Sequence, residues 1–239
     1  MNLILAEADR RRITRLCHFT PVRNLVHIAT GGDGLLSTKL LSTNERKAFN
    51  QQDLLRLDNH PDHICCSIEY PNAWHFRSRS ADQHALPRLF KDWVVLFISR
   101  DHLWAPETLF CPCNAATGGG RLIAAGCETF LGLFADSVEG ARGQIFSRTP
   151  SRLTACPTSD QAEVLIHRQV PIADITHVVV RSVSAAKRVL VQLDQLRSTA
   201  HFTYVVCPEF FNPPALSQRL QSGMPPIERT WNDGEDADA

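Results

Sequence analysis

Residues 159–180 read SDQAEVLIHRQVPIADITHVVV, and the fold follows from how they are parsed. Two apolar runs stand in this stretch, Val164-Leu165-Ile166 and Ile175 to Val180, joined by a turn at Gln169-Val170-Pro171. Short β-branched runs bounded by a proline turn predict buried strands rather than helices. Glu163 stands at the head of the first run. A carboxylate there either faces solvent or is held by a partner, because burying it unpaired is expensive. Two readings follow. One is a surface glutamate on an edge strand, since Glu is mostly exposed. The other is a catalytic carboxylate at the rim of a cleft.

Working outward, Asp136 to Ser159 is polar, carries Arg142, Arg148 and Arg152, and leads straight into Gln161-Ala162-Glu163. A loop this long inside a compact domain is usually functional or disordered. Beyond the two strands, Ser184 to Ser198 places Ala185, Val189, Leu193 and Leu196 on one face and predicts an amphipathic helix. Phe202 to Cys207 is expected to be the last strand. Pro208 to Pro226 is proline-rich and Asn232 to Asp238 is acidic, the composition of a disordered tail. With no internal repeat and no second core, the expectation is one domain over 1–207 and a tail over 208–239.

Composition bounds the function classes. At 239 residues the chain is long enough to bury a proper core. Its 44% hydrophobic and 21% charged content is ordinary for a globular protein. A formal net charge of zero gives no global basic field, so nucleic acid would need a local basic groove. No apolar run approaches the roughly 18 residues of a membrane span. The start, Met1 to Arg10, lacks the basic–apolar–small order of a secretory signal. Eight cysteines are irregularly spaced, with Cys65 and Cys66 adjacent. Reduced thiols and a cytoplasmic location are therefore expected rather than a disulfide framework.

The amino-terminal half reads as a helix within Leu3 to Leu16, a strand ending at Pro21 and a helix over Arg23 to Ala29, broken at Gly31 to Gly34. His18 and Thr20 thus sit at a strand end feeding a helix start, where backbone N–H groups meet anionic ligands. The plain alternative is a hydrogen-bonded structural histidine. Ser42 to Asp58 is expected as a helix or a long loop over the cleft, and His63 to Tyr70 as a strand. Trp74 to Arg79 interleaves aromatic and basic residues, which suits stacking on bases and contact with phosphates. It equally suits a partly buried Trp and Phe among solvated arginines. Ser80 to Lys91 is a polar loop, and Trp93 to Ser99 is the clearest buried strand. His102 to Trp104 reads as a short helical turn, and Leu122 to Gly132 as a helix or a strand. Cys111-Pro112-Cys113 has no second Cys/His pair at finger spacing, so no structural zinc is expected. Gly118-Gly119-Gly120 lacks both the Walker lysine and the strand–G-x-G-x-x-G–helix context, which excludes a P-loop or Rossmann site.

Four ordered segments resemble the DarT family of nucleic-acid ADP-ribosyltransferases, a branch of the fold shared with poly-ADP-ribose polymerases and many toxins. They are His18 to Leu25 with Gly34 to Ser37; Arg56-Leu57-Asp58 with Ser67 to Asn72; Trp93 to Leu96 with Phe110 to Ala116; and Gln161 to Leu165 with Val170 to Ile172. The resemblance implies an α+β, ADP-ribosyltransferase-like fold: a central split antiparallel sheet with flanking helices. It implies Glu163 as the catalytic residue. It implies that His18, Thr20, Asn24, Arg56 and Ser67 bind NAD, the ADP-ribose donor, with no metal. It implies that Asn72, Trp74, Arg77, Arg79 and Arg148 meet the acceptor, the loop over 136–159 resembling the family's target-recognition loop. Many relatives carry a catalytic arginine in a Pro-x-Ser-Pro turn after the second strand. Here the turn is Pro71-Asn72-Ala73-Trp74, and Arg56, Arg77 and Arg79 are the candidates for that role. The implied activity is attachment of ADP-ribose to a nucleobase of single-stranded DNA by a bacterial toxin. The alternatives are modification of RNA bases in anti-phage defence, or a catalytically inactive binding module. The implied partners are NAD, single-stranded DNA or RNA and an antitoxin protein, with no membrane.

Overall fold

The structure, a computed structural model, describes residues 2–41, 57–81, 93–198 and 200–233. The cleft-covering segment expected before Asp58, with Arg56, and most of the loop expected before Lys91 lie outside the described residues.

Along the chain, α1 (Leu3–Arg11) leads into β1 (Arg15–Pro21) and α2 (Val22–Thr30). Next come β2 (Leu35–Leu36), β3 (His63–Ile68), α3 (Ala73–Ala81), β4 (Trp93–Ser99), β5 (Leu109–Cys111) and β6 (Ala124–Ala125). They are followed by α4 (Cys127–Gly132), β7 (Ser137–Glu139), β8 (Ile145–Ser147), β9 (Glu163–His167), β10 (Gln169–Val170) and β11 (Ile175–Val180). The chain closes with α5 (Val183–Gln195), β12 (Thr203–Val206), α6 (Pro213–Gln221) and β13 (Arg229–Trp231).

Among the described residues a nine-stranded sheet runs in the order β13-β12-β11-β4-β1-β3-β9-β5-β6. Its pairs are antiparallel except β11 with β12. That parallel pair is joined through α5, as a parallel connection needs a crossover. The apolar strand β4 is buried on both faces and lies between β1 and β11. On one face Leu16, Val94, Leu96, Val164 and Val178 pack with Leu25 and Ile28 of α2 and with Val189 and Leu193 of α5. On the other, Val95, Phe97, Val179 and Val205 pack with Phe76, Phe210 and Leu216. Leu196, expected on the buried face of α5, is 51% exposed because the helix stops at Gln195.

The two strands of the opening stretch are not neighbours: β3, β1 and β4 stand between β9 and β11. The proline turn does not close a hairpin, because β10 is taken up by β2 through Val170↔Leu35 and Gln169↔Leu36. Gly34 permits that docking. Its φ is 76°, and a Cβ there would sit 2.3 Å from the Val170 carbonyl oxygen.

The sheet is split at β1. This strand pairs with β4 along its whole length, Arg15↔Ser99 to Pro21↔Trp93. With β3 it pairs only at Leu16↔Ile68 and Cys17↔Ser67, while β3 runs on beside β9 from Cys66 back to His63. From His18 onward β1 and β3 therefore diverge. The closed end is pinned by Glu69, which sits at φ 62° and accepts hydrogen bonds from Thr14 N (2.7 Å) and Thr14 Oγ1 (2.9 Å).

Two further expectations are corrected. The segment after Cys207 is not a tail as far as the structure describes it. Asn212 caps α6 by accepting from Ala215 N, and Pro213 occupies its first turn, where a proline starts a helix rather than breaking one. Leu216, Leu220 and Trp231 are buried, and β13 extends the sheet beyond β12, so β12 is not the last strand. The polar loop over 136–159 contains a hairpin of β7 and β8, followed by turns held by a buried Arg152–Asp160 ion pair of 2.6 Å. Among the described residues no helix is long and apolar enough to cross a membrane.

Candidate active site

A cavity of about 290 Å³ opens where β1 and β3 separate. That is the small end of the usual range for ligand pockets, roughly 300–1,000 Å³. Cys17, His18, Phe19, Thr20 and Pro21 all line it. Alternate residues of a strand face opposite sides. Consecutive residues can share one cavity only if the strand's edge, not its face, is the wall. The split therefore turns the edge of β1 into a binding surface.

His18 spans the split, its Nδ1 lying 2.8 Å from the Cys65 carbonyl oxygen. A carbonyl only accepts, so Nδ1 donates there, and this fixes the ring's orientation in the cleft. Thr20 and Asn24, both buried, line the cavity where α2 begins. The residue before α2 is Pro21, whose side chain caps nothing, and Pro21 and Asn24 both line the cavity, so the positive end of the helix dipole lies at its wall. Asn24 Oδ1 and Ser37 Oγ are buried in the walls with no hydrogen-bond partner among the described residues. A buried oxygen left so is unfavourable by about 1–3 kcal/mol unless a ligand engages it. These oxygens fit a ligand rich in hydroxyl and amide groups.

On the opposite wall, Ser67 Oγ accepts from Asn72 N (3.1 Å), and Asn72 Oδ1 accepts from His75 N (3.0 Å), which caps the first turn of α3. Ser67, Asn72 and His75 all line the cavity. Glu163, the first residue of β9, is half-buried and also lines it. Its Oε1 accepts from Ala115 N at 3.0 Å. The contact follows from register, since Glu163 faces Cys111 in the β9–β5 pair and the turn after β5 lies beside it. At the start of that turn the Cys113 thiol lies beside Cys111 and Thr117, and the influence of Cys111 pulls it down. Among the described residues no group of three or more His, Cys, Asp or Glu side chains is placed to hold a metal ion.

The expected residues thus divide. His18, Thr20, Asn24, Ser67, Asn72 and Glu163 share one cavity. Trp74 lines a separate small hollow with Arg152 and Asp160, and the Arg77 guanidinium lies 5.7 Å from its ring centre on the exposed side of α3. Arg148, expected to meet the acceptor, points elsewhere: its guanidinium donates to the carbonyls of Cys156 (2.7 Å) and Leu153 (3.1 Å) and folds the loop onto itself. Arg56 lies outside the described residues, as does the side chain of Arg79. Sequence reasoning missed Asp58, His75 and Asn114, which also line the cavity. Asp58 and Asn114 stand inside two of the quoted motifs, Arg56-Leu57-Asp58 and Cys111-Pro112-Cys113-Asn114, so the signal was present at the right position without a role attached.

The family model described as "ssDNA thymidine ADP-ribosyltransferase, DarT" matches residues 17–211. The structure is similar to that of Thermus sp. 2.9 DarT in complex with ADP-ribosylated ssDNA, with TM-score 0.59, 15% identity, and coverage of 84% of this chain and 97% of that one. The same Thermus protein in complex with NAD+ gives TM-score 0.55, 15% identity, and coverage of 83% and 97%. Thermosipho africanus DarTG in complex with ADP-ribose gives TM-score 0.50 and 12% identity, covering 83% of this chain and 51% of that one. At such identities the likeness establishes the fold. No curated protein matches the chain.

Proposed function

This chain belongs to the DarT family of NAD-dependent ADP-ribosyltransferases, and from that membership we propose that it attaches ADP-ribose to a nucleobase of single-stranded DNA. Thymine is the first base to test, because the family's description names thymidine. The observation that carries the reading is the Glu163 carboxylate, fixed by the Ala115 N–H in the wall of the cavity that also holds His18 and Thr20.

The chemistry suits these groups. Breaking the nicotinamide–ribose bond builds oxocarbenium character on the ribose, as in glycoside cleavage. A fixed carboxylate that hydrogen-bonds a ribose hydroxyl steadies that positive charge in a site shielded from water. As the base attacks, the same carboxylate takes the proton from its weakly acidic nitrogen. Glu163 thus serves both bond cleavage and proton removal.

The chain's other groups bind and orient. His18, held by Cys65, presents its ring to the donor. The edge of β1 beyond Cys17 offers strand-type hydrogen bonds to a carboxamide. The start of α2, with Thr20 and Asn24, receives the pyrophosphate, and Arg56 is the candidate cation for it. Ser67 supports the donor side. Asn72 and the start of α3, with Arg77 laid on Trp74, face the acceptor strand. In the cell we propose a toxin acting in the cytoplasm and restrained by an antitoxin protein.

The test is direct. The protein is incubated with NAD and single-stranded oligonucleotides of single-base composition, DNA and RNA in parallel. A mass gain of one ADP-ribose on a thymine-containing DNA strand is expected. Adducts on RNA alone would replace the acceptor in this reading. Intact NAD with every strand would remove the transferase reading.

A further inference from the structure

We propose that Asn114 is a positioning residue for ADP-ribosyl transfer: it sets the backbone turn whose Ala115 N–H aims the Glu163 carboxylate. This rests on the transferase reading above and assigns a residue that reading leaves idle.

The turn follows β5 directly, and the Cys111↔Glu163 pair brings it beside the carboxylate. Within it the Asn114 carbonyl accepts from Thr117 N at 2.9 Å. The Asn114 side-chain Oδ1 accepts from Ala116 N at 3.0 Å. Of three successive N–H groups, Asn114 therefore binds the second and third. The first, Ala115 N–H, is committed to Glu163 Oε1 at 3.0 Å. The opening of a helical turn leaves such N–H groups without partners inside the turn. Asn excels there because its short side chain reaches an N–H two or three residues on. Alanine offers no such acceptor.

Cys113 and Ala115 are 1% and 2% exposed and pack with Leu165, so the turn is fixed laterally on both sides of Asn114. Its twist, which decides where the Ala115 N–H points, is held by the backbone bond from Thr117 N to the Asn114 carbonyl together with the Oδ1 bond, and the Oδ1 bond is the one that a change of the Asn114 side chain removes. The Ala115 N–H is a backbone donor that fixes the position of Glu163 Oε1, so a turn that rotates carries the carboxylate with it. A misplacement of about 1 Å in a reacting group can lower a rate by roughly 10²-fold. Asn114 itself lies in the cavity wall, so its effect falls on the reaction and not on a distant core.

The experiment compares the wild-type chain with Asn114→Ala, Asn114→Ser and Glu163→Gln. Nicotinamide release from NAD is followed with a single-stranded oligonucleotide present, and thermal melting is recorded for each. Asn114→Ala is expected to lower kcat about tenfold or more while leaving KM for NAD nearly unchanged. Asn114→Ser keeps an oxygen within reach of Ala116 N and should recover most of the rate. The second readout is the Ala115 amide resonance. It should move on Glu163→Gln in the wild-type and Ser backgrounds, and stay put on Glu163→Gln in the Ala background.

The proposal is overturned if Asn114→Ala keeps a near-wild-type rate. It is equally overturned if Ser rescues nothing while both variants melt like wild type, or if KM rises in step with the loss, which would make Asn114 a direct NAD contact. A wild-type chain that releases no nicotinamide sinks the transferase reading instead. The amide readout then still decides whether Asn114 sets the turn.

Discussion

At the scale of single residues, Glu163 separates chemistry from stability. Glutamine at 163 keeps an oxygen for the Ala115 N–H, so the local fold survives the change. In the proposed mechanism it removes the charge that steadies the ribose and the base that takes the proton. Losing one such electrostatic group or one general base lowers a rate by about 10²–10³-fold or more. Glu163→Gln should therefore cut nicotinamide release about a thousandfold and shift unfolding by no more than about 0.5 kcal/mol. A variant keeping a tenth of the activity would remove Glu163 from the mechanism. Arg152 is the opposite case. It is 5% exposed, pairs with Asp160 at 2.6 Å and donates from Nε to the Pro157 carbonyl, while Ser217 donates to the other oxygen of Asp160. Arg152→Ala strands a partly buried carboxylate, and breaking a buried pair in this way is destabilising by about 3–5 kcal/mol. Urea unfolding of the variant measures it; an unchanged midpoint would show that the pair is dispensable. Arg148 and Arg152 look alike in the sequence, yet each ends its guanidinium on the loop's own backbone carbonyls. Charge in a polar loop says nothing about where the charge points, and the Arg148 guanidinium, expected to meet the acceptor, is engaged by the carbonyls of Cys156 and Leu153.

At the scale of elements, β-branched and apolar runs made β1, β3, β4, β9 and β11 legible, and apolar spacing did the same for α2 and α5. Strand order was not legible. The stretch 159–180 looks locally like a hairpin, but its proline turn is captured by β2, a two-residue strand far away in sequence. The split between β1 and β3 is a register fact of the same kind: it is set by where pairing stops, which no local pattern encodes. The motifs His18 to Leu25, Ser67 to Asn72 and Gln161 to Leu165 nevertheless meet at one cavity, because the split draws together the strand ends that carry them. The β2–β10 docking itself gives a prediction. Gly34→Ala meets the Val170 carbonyl at 2.3 Å and the Ile172 nitrogen at 2.7 Å, with φ at 76°. Gly32 shares a positive φ of 79° but has nothing within 4 Å of a Cβ. Left-handed backbone strain alone amounts to about 1–3 kcal/mol, so Gly32→Ala should show only that. Gly34→Ala should in addition displace Leu35 to Ser37 from the cavity wall and weaken NAD binding several-fold by calorimetry. Equal NAD affinity in the two variants would mean that β2 does not shape the site.

At the scale of the whole molecule, the sheet does not end where the composition changes. Proline content after Cys207 suggested a tail, yet two of those prolines, Pro208 and Pro213, begin helical turns. The segment they organise covers one face of the sheet. Phe210, Phe211, Leu216, Leu220 and Trp231 are between 0% and 7% exposed. Phe211 stacks edge-on to Phe19 at 5.6 Å between ring centres, and Phe19 lines the cavity. Glu228 reaches back to form an ion pair with Arg15, whose guanidinium lies over Phe97 at 3.8 Å. Burying a large apolar side chain stabilises by about 1.5–3 kcal/mol, so these five together contribute on the order of 10 kcal/mol. A typical domain has only about 5–15 kcal/mol of net stability. A chain ending at Cys207 would also leave β12 as a bare edge and uncover the aromatic layer behind the cavity. It should therefore lose cooperative melting, expose apolar surface to a hydrophobic dye and bind no NAD. The point change Trp231→Ala, which opens a cavity against Tyr204 at the sheet's edge, should be milder at about 3–5 kcal/mol and leave NAD affinity intact where the protein is folded. If the shortened chain melted cooperatively near the full-length temperature, the carboxy-terminal layer would be an appendage and the domain would end at β12.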